Sequence, residues 1–143
     1  MNLVVRFKRL RRGARLPTKA TEHSTGYDIY ACLDSPMQLT QEPRAIPTGI
    51  AMQVDPGLDV QVRPRSGLGR RGVLSTFGTI DADYRGELFV TMYTTGASVA
   101  HEVRDGDRIA QLVMASLPEV SFIEVGELDS TARGEGGHGS TGR

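Results

Sequence analysis

The sequence predicts an all-β domain of the sandwich, jelly-roll or barrel class. Short β-favouring runs recur along the chain, and Pro, Gly, Asp and Ser turn chemistry separates them. Only "RPRSGLGRRGVL" suits a helix, and it is a weak one. Ser66 is placed to cap one or two turns, which Gly67, Gly69 and Gly72 then destabilise. A length of 143 residues fits one domain with a substantial core, and no repeat or interdomain linker interrupts it.

The first run, "LVVRF", alternates Leu3, Val5 and Phe7 with Val4, Arg6 and Lys8, as a half-buried strand does. Basic residues crowd the first twenty positions without an acid, which also raises a targeting segment, but the alternation favours the strand. "YDIYAC", "GIAMQVD" and "LDVQVRP" follow as strands, then the helical turn. "GTIDADYRGEL" reads as a β-hairpin tip, with Asp81 and Asp83 two apart between Gly78 and Gly86. "ELFVTMYTT", "RIAQLVMAS" and "SFIEV" complete the strands. Large apolar side chains stop near Ser130, which divides the chain into a β domain, 1–130, and a tail, 131–143.

Seventeen Lys and Arg balance seventeen Asp and Glu, so no global field favours nucleic acid or an anionic membrane. With no membrane-length apolar run and no signal-peptide pattern, the expectation is a soluble cytoplasmic protein without direct nucleic-acid binding. The single cysteine, Cys32, excludes an internal disulfide and reads as a reduced, packed thiol.

Five stretches carry chemistry, each with a plainer structural alternative. Asp81 and Asp83 form a carboxylate pair, although Asp and Gly also build turns for backbone reasons alone. In "VRPRSGLGRRG", Arg65 and the backbone N–H groups after it suit phosphate oxygens, against a surface turn with a solvated arginine. "RGEGGHGSTG" offers converging N–H groups with Arg133, Ser140 and Thr141 as further donors, and His138 as a flat ring for a base; a flexible tail has the same composition. In "STGYDIYA", Asp28 suits a hydrated Mg²⁺ or an ordinary turn. In "GDRIAQLV", Gln111 points opposite to Ala110, into a pocket or into solvent.

In this order and at these separations the five stretches resemble the trimeric all-β dUTPase family, over nearly the whole chain. The resemblance implies a jelly-roll-like distorted barrel with one short helix near Ser66–Arg71, and a homotrimer with sites at subunit interfaces. It implies hydrolysis of dUTP to dUMP and pyrophosphate by water attacking the α-phosphorus. Such an enzyme limits uracil incorporation into DNA and supplies dUMP for dTMP synthesis. Asp81 matches the general base, and Tyr84 the ring that packs on deoxyribose and excludes a ribose hydroxyl. Main-chain groups around Ser75, Thr79, Ile80 and Phe89 match those that read uracil. Arg65, Ser66, Gly67 and Gln111 match the phosphate ligands, and Asp28 the aspartate that holds Mg²⁺ through water. Residues 131–143 match an arm that closes over the nucleotide in another subunit, with Arg133 on the γ-phosphate, His138 over the base, and Gly139, Ser140 and Thr141 as donors. Two positions depart from the pattern: His138 stands where many members have phenylalanine, and Ser75 where many have asparagine. Competing readings are a dCTP deaminase or bifunctional relative, and a non-catalytic nucleotide-binding regulatory protein. The first needs a catalytic acid that "LFVTMY" lacks; the second predicts loss of Asp81 or of the arm, and both are present.

Overall fold

In the computed structural model, which describes residues 3–142, the run "LDVQVR" alternates buried and outward side chains along its whole length. That period of two makes it the middle of a sheet. The strands are β1 (Arg6–Arg9), β2 (Tyr27–Tyr30), β3 (Met37–Leu39), β4 (Arg44–Pro47), β5 (Ile50–Gln53) and β6 (Leu58–Arg63). After a single turn of helix, α1 (Ser66–Gly69), come β7 (Val73–Ser75), β8 (Gly78–Ile80), β9 (Phe89–Thr94), β10 (His101–Val103) and β11 (Arg108–Ser116). The expected all-β class with one short helix therefore holds. Met1, Asn2 and Arg143, at the ends of the expected domain and arm, lie outside the described residues.

The strands form a four-stranded sheet ordered β2-β11-β6-β8, a three-stranded sheet ordered β4-β9-β7, and the ribbons β1-β5 and β10-β3. All pairs are antiparallel. Ile29, Val60 and Leu112, on neighbouring strands of the large sheet, are fully buried, each contributing about 1.5–3 kcal/mol of apolar burial. Between Arg108 and Ala110 the pairing of β11 with β2 shifts register. This irregularity buries Ile109 and Ala110 in succession and leaves Gln111 opposite Asp28. Cys32 is a buried free thiol, as expected, and burial pushes its pKa up.

Three expectations need correction. "GTIDADYRGEL" is not a hairpin: β8 pairs with β6 and β9 with β4 and β7, so the 81–88 loop crosses between two sheets. Turn chemistry looks the same locally in both cases; the partner strands decide. "SFIEV" forms no strand, and Phe122 and Ile123 are 97% and 81% exposed. Its apolar side chains find no surface of this chain to cover. Finally, Ser66 is the first helical residue and not the cap. Arg65 occupies the cap position with extended φ/ψ and no side-chain cap hydrogen bond.

Candidate active site

Asp28 is held by its backbone before its side chain matters. Its N–H donates to the Thr18 carbonyl at 2.7 Å, and its carbonyl accepts from the Thr18 N–H at 3.1 Å. The Thr18 and Tyr30 hydroxyls hydrogen-bond beside this bridge. The carboxylate, only 15% exposed, sits 3.4 Å from Arg65 Nε and 3.6 Å from Arg108 Nη1. Arg65 Nη1 also donates to the Arg108 carbonyl at 3.1 Å, so its guanidinium is fixed at both ends.

Gln111 completes this cluster. Its Nε2 donates to the Pro64 carbonyl at 3.0 Å, joining β11 to the turn that leads into α1. Gly26 makes room for it, since a Cβ there would overlap the Gln111 amide oxygen. Asp28, Arg65, Ser66, Gly67 and Gln111 thus line one cavity of about 330 Å³, with Gly26 and Arg108 among its other walls. Sequence reasoning missed Arg108 and Gly26. The signal for Arg108 lay in "GDRIAQ", three residues before Gln111 and across the β11 irregularity from it.

The cavity suits a polyanion. Two guanidiniums, a primary amide and the hydroxyls of Ser24, Thr25 and Ser66 line it against one carboxylate. Among the described residues no group of three or more His, Cys, Asp and Glu converges to hold a metal. A single carboxylate already shared by two arginines does not build an ion cage. A lone carboxylate fits a Mg²⁺ that would keep several of its own waters.

The Asp81 loop is rigid by its own hydrogen bonds. The Tyr84 N–H donates to the Asp81 carbonyl at 3.0 Å, and the Tyr84 hydroxyl donates to the Glu87 carbonyl at 2.8 Å. A Cβ on Gly86 would lie 2.7 Å from Tyr84 Cζ, so the ring rests on the glycine backbone. Arg85 Nη1 donates to the Ala82 carbonyl at 2.7 Å, and Arg11 grips Glu87 through Nε and Nη2 at 2.9 and 3.2 Å. The buried Thr48 hydroxyl fixes the end of the loop, donating to the Leu88 carbonyl at 2.5 Å.

Of the residues expected to read a base, Thr79 and Ile80 lie on β8, the edge strand of its sheet. Phe89 begins β9 and is 46% exposed. Ser75 is buried, and its hydroxyl has no hydrogen-bond partner among the described residues. An edge strand leaves main-chain donors and acceptors on its outer side for a planar ligand.

The two halves do not meet within one chain. Ile80 is opposite Val60 in the β8-β6 ladder, which puts Asp81 level with Asp59, whereas Arg65 follows the other end of β6. Six residues of nearly extended chain separate these levels, about 20 Å. The arm residues join neither half. The hydrogen bonds of 131–142 run within the segment, including Arg133 Nε to the Gly136 carbonyl at 3.0 Å, and Arg133, His138, Gly139, Ser140 and Thr141 are exposed. His138 has φ 50°, a left-handed conformation uncommon for a residue with a side chain.

A protein-family model described as dUTPase matches residues 12–142. This chain belongs to the dUTPase family. The deoxyuridine 5'-triphosphate nucleotidohydrolase of Methylocella silvestris is 43% identical to it, over 98% of this chain and 92% of the relative. The enzyme of that name from Treponema denticola is 44% identical over 95% and 96%. Among solved structures, a point mutant of the dUTPase from phage 80alpha superposes with TM-score 0.88 at 26% identity, covering 98% of this chain and 99% of that one. Another point mutant of the Staphylococcus bacteriophage 80alpha dUTPase, solved with dUpNHpp, gives 0.86 at 25%, with the same coverage. The jelly-roll-like β fold expected from the dUTPase resemblance is thus the fold of this chain.

Proposed function

We propose that this protein is a dUTP diphosphatase that hydrolyses dUTP to dUMP and pyrophosphate. The observation that carries the reading is the convergence of Asp28, Arg65, Ser66, Gly67 and Gln111 on one cavity. That cavity draws residues from three of the five motif stretches. Water attacks the α-phosphorus, and Asp81, held in its rigid loop, takes the proton. Arg65, Ser66, Gly67 and Gln111 bind the phosphates, with Arg108 adding a second guanidinium. Fixed in advance, these donors neutralise charge moving onto the departing pyrophosphate.

Asp28 is the residue that would hold a hydrated Mg²⁺, and the ion would supply charge neutralisation on the phosphate oxygens. Uracil lies against the outer edge of β8, read by main-chain groups at Thr79, Ile80 and Phe89 and by the free Ser75 hydroxyl. Cytosine presents a donor where uracil presents an acceptor, and a fixed backbone cannot re-pair. Tyr84 packs on the sugar.

Because Asp81 and Arg65 stand at opposite ends of β6, a working site takes them from different subunits, in keeping with a homotrimer. The 131–143 arm closes from a further subunit. Its exposed glycines allow it to open and close, with Arg133 on the γ-phosphate, His138 over the base, and Gly139, Ser140 and Thr141 as donors. Deamination of dCTP is disfavoured, since β9 carries no acid. The test is pyrophosphate release from dUTP, dTTP, dCTP and UTP with and without Mg²⁺. Release confined to dUTP is expected; equal release from UTP or ammonia from dCTP contradicts the assignment.

A further inference from the structure

Arg65 and Arg108 line two cavities, not one. The second, about 220 Å³, lies between α1 and the turn joining β10 to β11. Its apolar floor is Leu68 and Ile109, both buried, and its remaining walls are Arg71, His101 and Asp107. Three guanidiniums therefore face this space. The opposing acids are Asp107, whose Oδ2 already accepts the Arg104 N–H at 2.8 Å, and Asp28, which meets Arg65 and Arg108 from the nucleotide side. The Arg71 side chain has no hydrogen bond or ion pair among the described residues, and neither has the His101 ring. Three guanidiniums around an apolar floor repel one another. A polyvalent anion offsets that repulsion and takes donors that are otherwise idle.

We propose that this cavity is a second oxyanion site, distinct from the nucleotide pocket, that takes inorganic ligands of the phosphate class. Pyrophosphate is the principal candidate, because on the proposed reaction, upon which this inference rests, it is released one arginine away. Arg65 and Arg108 form the wall between the two spaces, so a leaving pyrophosphate passes across that pair toward Arg71. The site then gives product inhibition or a release route that does not need the nucleotide pocket to empty first.

His101 reports occupancy. Burial and then the Arg71 charge hold its imidazole below the ordinary histidine range, with Asp107 acting weakly against them. An anion between His101 and Arg71 cancels the repulsion and raises that pKa. The experiment uses the full chain saturated with dUpNHpp, without Mg²⁺, and follows the His101 ring by NMR while pyrophosphate, and separately orthophosphate, is added. The expected result is a rise of about one pH unit in the His101 pKa with pyrophosphate. Arg71→Met is expected to weaken pyrophosphate binding about tenfold while kcat/KM for dUTP is unchanged. Weaker orthophosphate binding identifies the product as ligand; equal binding identifies free phosphate, within the same site. Absence of any His101 response, its loss when dUpNHpp is bound, or Arg71→Met binding like the parent overturns the proposal. Failure of dUpNHpp itself to bind counts against the dUTP assignment instead.

Discussion

Replacing Gly26 by alanine tests how the phosphate pocket is built. The new Cβ lies on the Gln111 amide oxygen, 2.9 Å from Cδ and 3.1 Å from Cβ, so the amide must leave. Gly26 does not have a left-handed φ, so alanine adds crowding and little backbone strain. Losing the 3.0 Å bond to Pro64 costs about 1 kcal/mol of stability. Losing a prepositioned phosphate donor costs about 2–3 kcal/mol in the transition state, or about 30- to 150-fold in kcat/KM. The assay is initial-rate pyrophosphate release from dUTP for Gly26→Ala, Gln111→Ala and the double variant. If Gly26 acts by making room for Gln111, the two losses do not add, and Gly26→Ala in the Gln111→Ala background costs less than about threefold. Additive losses, or normal kcat/KM for Gly26→Ala, refute this account.

Asp81→Asn keeps the shape of the loop and removes the base; kcat is expected to fall about 10²- to 10⁴-fold with dUpNHpp affinity retained, and undiminished turnover would exclude Asp81 as the base. Deleting residues 133–143 is expected to abolish most turnover while leaving the assembly state unchanged in analytical ultracentrifugation; normal rates would remove the arm from the mechanism. His101 gives a pH signature. Its folded-state pKa is lowered, so as pH falls below the ordinary value of 6.5 the unfolded chain takes up the proton first and stability drops, levelling off below the folded pKa. Thermal melts from pH 8 to pH 5 should show this loss, and His101→Asn should reduce it; identical profiles would mean that the imidazole is not held neutral.

Much of the fold was legible because strands such as β6 and β9 carry their burial in a local period of two. The short strands β3, β4 and β10 were not, since three or four residues hold little periodicity and distant partners decide their pairing. "SFIEV" shows the converse: its apolar pattern is real, but no surface of this chain packs against it. In the site, Asp28, Arg65 and Gln111 were legible through the order of the motif stretches. Arg108 and Gly26 emerged only when β11 was laid beside β2, because their roles are contacts across strands. The separation of Asp81 from Arg65 likewise depends on β8 pairing antiparallel to β6, which no local signal announces.

That separation gives the most direct test of the central claim, that one catalytic site draws Asp81 and Arg65 from different subunits. Asp81→Asn and Arg65→Met chains, each inactive alone, are co-expressed in equal amounts and the mixed assemblies purified through two tags. Each mixed trimer holds two chains of one kind and one of the other, so about one site in three combines an intact Asp81 with an intact Arg65, and turnover should recover to about a third of the parent value. If the two residues served the same site from one chain, every site would lack one of them, and the mixture would be as inactive as its components.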